Sequence, residues 1–391
     1  MRRIVYLIDQ PFDDRNYRRF GIQAWIDRNW SVEVWDLTPW AHPRFWHEFI
    51  ALGMRIREFA GYYPVTSGRE LSRRLAQAGQ VEYFMDLSGE NYCSMRAITA
   101  LTRTGAIRVT CALGSIPIPD RIERGRLGAK LAKLLARGPK NVFRTLSSAF
   151  FSRWIASRLA PGLTVVAGQN SVNDATRRHT MIKAHNFDYD IYLELMKSGA
   201  ASTGNYAVFI DQDYCFHPEF IYPGTAIVTP DRYFATMRYG LREISKALNV
   251  EVRIAAHPRA AYQNRGMDCF GEFPIEYGNT AELIQGCQAV ICHDSTAIQF
   301  GVLLTKPLIF VTTDELMLSY EGRSIAKVAS EFGKLPVNLD CPDLGAVDWR
   351  KELSVDPRKY ADYRNKYIKT DGSPEMPLWD IVIDHIEIAN C

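Results

Sequence analysis

Short apolar, β-branched runs recur along the chain, separated by segments of helical length. In the first half they read "RRIVYLID", "SVEVWDL", "VEYFMDL", "AIRVTCAL" and "LTVVAG". In the second they read "YAVFID", "VEVRIAAH", "QAVICH" and "KPLIFVTT". The runs are nearly continuous rather than alternating, which predicts strands covered on both faces by helices, hence parallel sheets of an α/β protein. The rhythm stops in a polar stretch with one helix-like segment, "AGQNSVNDATRRHTMIKAHNFDYDIYLELMKSGAASTGN", and restarts at "YAVFIDQ", an echo of "IVYLIDQ" near residue 5. The spacing predicts two doubly wound halves meeting near residues 196–205, with one domain over 1–200 and the other over 201–391. The closing segment "PLWDIVIDHIEIAN" is grouped with the second domain, although its pattern fits packing on either.

Composition adds little: 391 residues, 47% hydrophobic, 23% charged and a net charge of +3 describe an ordinary soluble protein of two domain-sized halves. No secretory signal stands at "MRRIVYLIDQPF", and no apolar run is long enough to span a membrane. The eight cysteines form no CxxC pair and read as reduced thiols of a cytoplasmic protein.

Candidate chemistry gathers at strand ends. "QAVICH" runs directly into Asp294, Ser295 and Thr296, where the next helix is expected to begin. A helix starting at the carboxyl edge of a parallel sheet offers unpaired N–H groups to a phosphate, and the hydroxyls can add donors. Plain helix capping is the competing reading. "VEVRIAAHPRA" ends on His257-Pro258 with Arg259 beside it, so that His257 projects from the same edge and can stabilise a phosphate leaving group. The dipeptide His-Pro alone is weak evidence, since it also occurs at His42-Pro43, read as loop chemistry, and at His217-Pro218.

Taken together, "VRIAAHPRA" and "NTAELIQGCQAVICHDSTAIQFGVLLTKPLIF" resemble the HP and serine motifs of bacterial sialyl-, polysialyl- and Kdo-type transferases, and CDP-glycerol glycerophosphotransferases carry a related pair. "YAVFIDQDYCFHPEF" is similar to the first strand and loop of the nucleotide domain in surface-polysaccharide glycosyltransferases. The resemblance covers roughly residues 205–312. It implies a GT-B fold, two Rossmann-like domains facing across a cleft, with the amino-terminal one binding acceptor. It also implies that His257 and Ser295 with Thr296 contact the phosphate of a nucleotide sugar, a CMP-linked nonulosonic acid or Kdo, with Pro258, Arg259 and Asp294 beside them in the donor site. The strictest sialyltransferase pattern has paired serines where Ser295-Thr296 stand, which leaves CDP- or UDP-linked donors open.

Such a transferase needs a base for the acceptor hydroxyl. "MDLSGENY" offers Asp86 and Glu90, of which Glu90 is preferred for its place on a Gly89-containing turn; capping of the following helix is the alternative. Asp9, Asp13 and Asp14 follow the first strand and are expected to be solvated. Asp211 is assigned to the donor side, to orient the sugar or to pair with arginines, and His217 to an ordinary loop. "DQD" at 211–213 is the nearest thing to a DxD metal motif, but no ligand spacing supports it, so neither a metal nor any cofactor besides the donor substrate is expected. GxGxxG and P-loop fingerprints are absent, which argues against oxidoreductases and P-loop kinases.

Residues 121–158 hold ten Lys or Arg against one acid, Glu123. Leu127, Leu131, Leu134 and Leu135 share a helical face ringed by Arg126, Lys130, Lys133 and Arg137, the signature of a membrane-surface helix. The expectation is peripheral association with the inner face of the cell membrane, with a solvated basic face on a core helix as the competing reading, and no nucleic-acid partner. The leading function is transfer of a sugar to a surface-polysaccharide, capsule or lipopolysaccharide acceptor. The alternatives are a CDP-glycerol-type transferase, a sugar-nucleotide epimerase, or a catalytically silent glycan-assembly subunit.

Overall fold

The computed structural model describes residues 2–119, 147, 150–151, 153–155, 158–172, 176–199, 203–217, 227–265 and 268–389. The basic residues Arg126, Lys130, Lys133 and Arg137 lie outside them.

The chain forms two compact units, Met1–Leu113 with Ile122–His185 and Gly372–Cys391, and Gly114–Arg121 with Asn186–Asp371. In the first, strands β1 (Arg3–Ile8), β2 (Ser31–Asp36), β3 (Tyr62–Pro64), β4 (Tyr83–Leu87), β5 (Ile107–Ala112), β6 (Leu163–Ala167) and β7 (Thr180–Ala184) make one sheet in the order β3-β2-β1-β4-β5-β6-β7. In the second, β8 (Tyr206–Ile210), β9 (Glu251–Ala255), β10 (Ile275–Glu276), β11 (Ala289–Cys292), β12 (Leu308–Thr312) and β13 (Val337–Asn338) follow the order β10-β9-β8-β11-β12-β13. Every pairing described is parallel. Both orders are the doubly wound 3-2-1-4-5-6, with one further strand after the sixth in the first sheet. Strand order therefore reverses between β1 and β4 in one unit, and between β8 and β11 in the other.

The runs that form β1, β8, β11 and β12 are buried on both faces, as a covered parallel sheet requires. Ile4 through Ile8 are fully inaccessible. On the second sheet Phe209, Ile254 and Ile291 pack to one side, while Val208, Ile210, Val290 and Phe310 pack to the other.

Two boundaries differ from expectation. The helix Phe187–Ser198, inside the expected first domain, belongs to the second unit, so the crossing falls at His185 and Asn186. The closing helix Leu378–Ile388 belongs to the first unit and not to the second. Trp379 explains the second difference: its indole N–H donates to the Arg19 carbonyl at 2.8 Å, and its ring lies against Gly21. Gly21 has φ of +60°, and a Cβ there would fall 2.0 Å from the Trp379 ring, so glycine is required twice over. Arg28 adds an ion pair to Asp384 at 2.9 Å.

Candidate functional site

In doubly wound sheets the crevice beyond the carboxyl ends of the strands, at the reversal of strand order, is where ligands bind. In the second unit that point lies between the ends of β8 and β11, and side chains bridge it. The Gln212 amide donates to Asp294 Oδ1 at 2.9 Å, and the Asp294 backbone N–H returns a bond to Gln212 Oε1 at 3.1 Å. The Tyr214 hydroxyl also donates to Asp294 Oδ1, at 2.6 Å.

Asp211 joins β8 to β9. It accepts from the Tyr262 hydroxyl at 2.7 Å, from the Asp213 N–H at 3.1 Å and from the His257 N–H at 3.3 Å. Burial pushes its carboxyl above the usual range, and those three bonds work against that shift. No arginine pairs with it among the bonds described. It fixes the HP loop through its backbone. Asp213 next to it has φ of 52°, uncommon for a residue with a side chain, and the turn it makes leads to His217.

His257 is half-buried, and its Nδ1 accepts from the Arg259 N–H at 3.3 Å. That bond places the proton of the neutral ring on Nε2. The His217 ring stands edge-on to it, with centroids 5.0 Å apart. Burial, then the nearby Arg259 charge, push His217 down to about 4. Its pKa is therefore depressed below the unfolded value of about 6.5, so the unfolded chain binds more protons between those limits. His217 thus contributes stability above pH 6.5 that is lost as pH falls toward 4. Compared with His217→Phe, which keeps a ring in place, the wild type should lose stability over that window in urea unfolding; parallel pH profiles would contradict this.

His293 is a different kind of histidine. It is fully buried, with Nδ1 donating to the Val311 carbonyl at 2.7 Å and Nε2 taking the Tyr233 hydroxyl at 3.1 Å. Burial holds it neutral, down at about 4, and both ring nitrogens are used, so it is a core residue.

Ser295 and Thr296 do not open the helix, which runs only over Ile298–Leu303 and begins at Ala297 without a side-chain cap. The Ser295 hydroxyl accepts from the Ala297 N–H at 3.2 Å inside a preceding turn, and Thr296 is exposed. The hydroxyls therefore stand on a loop beside Asp294, with neither capping a helix.

The first unit separates its two candidate carboxylates. Asp86 is buried in an ion pair, its Oδ2 taking Arg108 Nε at 2.9 Å and Nη2 at 2.6 Å, while its Oδ1 takes the Ser88 hydroxyl at 2.7 Å. Glu90 is exposed. Asn91, which the sequence reading passed over, caps the helix Tyr92–Arg103 by accepting from the Cys93 and Ser94 N–H groups, each at 3.0 Å. Asp9 is not simply solvated. Its Oδ2 accepts from the Gly89 N–H and the Asn91 amide, both at 2.9 Å, across the β1–β4 reversal. A Cβ on Gly89 would lie 2.8 Å from that oxygen, which is why the turn needs glycine. Asp36, at the end of β2, is pushed up by burial to about 6 and holds Thr38 and Tyr62. Asp13 caps the helix Asp14–Arg19, and Asp14 pairs with Arg57 at 3.3 Å in the open.

Among the described residues no cluster of three or more His, Cys, Asp or Glu is arranged to hold a metal, and no helix is long and apolar enough to cross a membrane. The residues that sequence reasoning missed are Gln212, Tyr214, Tyr262 and Asn91. Gln212 alone left a signal, as the middle of "DQD" in a repeated "IDQ".

No known family and no curated protein matches the chain by sequence. Solved structures do match by shape. The chain is similar to a wall teichoic acid polymerase TagF, H444N variant, with TM-score 0.54 and 10% identity over 100% of this chain and 89% of that one. The same variant soaked with CDPG gives the same values. It is also similar to S. aureus MnaA in a co-structure with UDP, with TM-score 0.52 and 11% identity over 100% of this chain and 97% of that one. At such identities the likeness shows the fold: two Rossmann-like domains of GT-B type.

Proposed function

We propose that the chain is a glycosyltransferase that moves a sugar, a nonulosonic acid or Kdo, from a CMP-activated donor to a surface glycan or lipid-linked acceptor. One observation carries the reading: Asp211 and the Gln212–Asp294 pair draw the HP loop and the serine turn to the strand-order reversal of one sheet. There the His257 Nε2–H can donate to the departing phosphate, Arg259 can supply positive charge, and Ser295 and Thr296 can offer hydroxyls to its other oxygens. These groups meet charge where it develops as the sugar–phosphate bond breaks. A second reading, transfer of an alcohol phosphate from a CDP-alcohol, draws on the likeness to the CDPG-soaked TagF structure. It uses the same phosphate contacts.

A thermal-shift series with CMP, CDP, UDP and NAD, followed by donor hydrolysis with the best binder, tests the reading. CMP should raise the melting temperature most. A tenfold or greater preference for UDP would move the reading away from nonulosonate or Kdo transfer. Preference for CDP with turnover of CDP-glycerol would favour the second reading.

A further inference from the structure

The first unit has a reversal of strand order of its own, beyond the ends of β1 and β4. Asp9 and Gly89 follow those strands and are joined there, the Gly89 N–H donating to Asp9 Oδ2. The same oxygen takes the Asn91 amide and lies 3.4 Å from His42 Nε2, while Asp9 Oδ1 accepts from none of the described residues. The side chains are 14% exposed for Asp9 and 45% for His42, so a hydroxyl-bearing ligand can reach both.

A cation and two rings stand beside this pair. Tyr92 and Arg96, four residues apart, share a face of the helix Tyr92–Arg103. Trp40, two residues before His42, stands edge-on to Tyr92 with ring centroids 6.3 Å apart. The Arg96 guanidinium lies 5.6 Å from the Trp40 centroid and 5.8 Å from that of Tyr92. A Cβ on Gly68 would fall 2.5 Å from Arg96 Nη1, so glycine there leaves the guanidinium its place. Arg96 is exposed, and so is Tyr92. Among the described residues no carboxylate pairs with Arg96, the exposed Glu90 included, and its polar contact is a 3.5 Å approach to the Tyr92 hydroxyl. Arg28, Arg74 and Arg108 of the same unit each meet an acid.

These groups suit one kind of molecule. Aromatic faces carry negative charge and attract the C–H side of a sugar ring. A forked guanidinium takes a carboxylate through two parallel bonds. A carboxylate and an imidazole exchange hydrogen bonds with hydroxyls. We infer that Trp40, Tyr92, Arg96, Asp9 and His42 form a subsite for an acidic saccharide, whose carboxylate pairs with Arg96 and whose hydroxyls bond Asp9 and His42. A neutral sugar would leave the guanidinium unanswered. Every group lies in the first unit, and binding there needs no nucleotide. The inference rests on the transferase reading above only in naming that saccharide as the end of the acceptor, so that sugar is added to chains already ending in an acidic residue.

The test uses the full chain with no donor present. Calorimetry titrates the methyl glycosides of N-acetylneuraminate and glucuronate, with methyl glucoside and acetate as controls. At least one acidic glycoside should bind tenfold or more tighter than both controls. Arg96→Gln and Tyr92→Ala should each weaken it tenfold or more, Arg96→Lys should lose less than Arg96→Gln because it keeps the charge without the fork, and CMP affinity should stay at the wild-type value in all three. Binding of neither glycoside, equal affinity for methyl glucoside, or unchanged affinity in Arg96→Gln would each overturn the inference. So would a chain that binds neither glycoside yet floats with phosphatidylglycerol vesicles unless Tyr92 is replaced, which would make the patch a lipid surface. Donor turnover is measured separately: a chain that releases CMP from its donor but fails these titrations keeps the transferase reading and loses the subsite.

Discussion

Replacing His257 by alanine should lower turnover at least about 100-fold while the protein still folds, because a donor aimed at a leaving group commonly contributes that much. The expectation rests on position. His257 follows β9 and is half-buried, and its loop is held from behind by Asp211 through the backbone N–H, a contact that survives loss of the ring. Its ring Nδ1 accepts from the Arg259 N–H. This contrasts with His293, whose two ring nitrogens are both consumed inside the core. Steady-state kinetics with circular dichroism separate the outcomes. An unfolded variant would make His257 a packing residue, and unchanged rates in a folded one would remove it from the site.

Arg108→Ala should destabilise the first unit by roughly 3–5 kcal/mol, the usual cost of stranding one partner of a buried ion pair. The Asp86 and Arg108 side chains are 3% and 12% exposed, so water can do little to replace the guanidinium. Arg108 also bonds the Leu159 carbonyl, tying β5 to the segment before β6. Urea unfolding measures the effect, and a loss below about 1 kcal/mol would show the pair to behave like a surface contact. The result bears on function as well. Both carboxylate oxygens of Asp86 are taken up by Arg108 and Ser88, so activity lost in Asp86→Asn should follow lost stability.

The fold was legible because nine of its strands surface in the sequence as short apolar, β-branched runs, a pattern that few alternatives can imitate. The short edge strands β3, β10 and β13, of two or three residues each, carry no pattern to read. β7, "TMIKA", was hidden for another reason. Lys183 interrupts it, and polar residues precede it, so it reads as part of the linker that it precedes. In the site, His257 and Ser295 announced themselves through motif, but their supports did not. Tyr214 and Tyr262 matter through hydroxyls that only tertiary contact puts against Asp294 and Asp211. Asp9 and His42 are 33 residues apart, and nothing local in either segment says that they meet. The closing helix could be recognised as buried from "WDIVIDHIEI", yet its partner depends on a pocket over Gly21 at the opposite end of the chain.

That docking has a consequence for synthesis. The unit whose strands are made first is the last to be completed, since it waits for Gly372–Cys391, whereas all of the second unit precedes Gly372. Vectorial folding, in which amino-terminal domains settle first on the ribosome, is inverted here. Until Trp379 emerges, the nascent first unit leaves the seat over Gly21 uncovered.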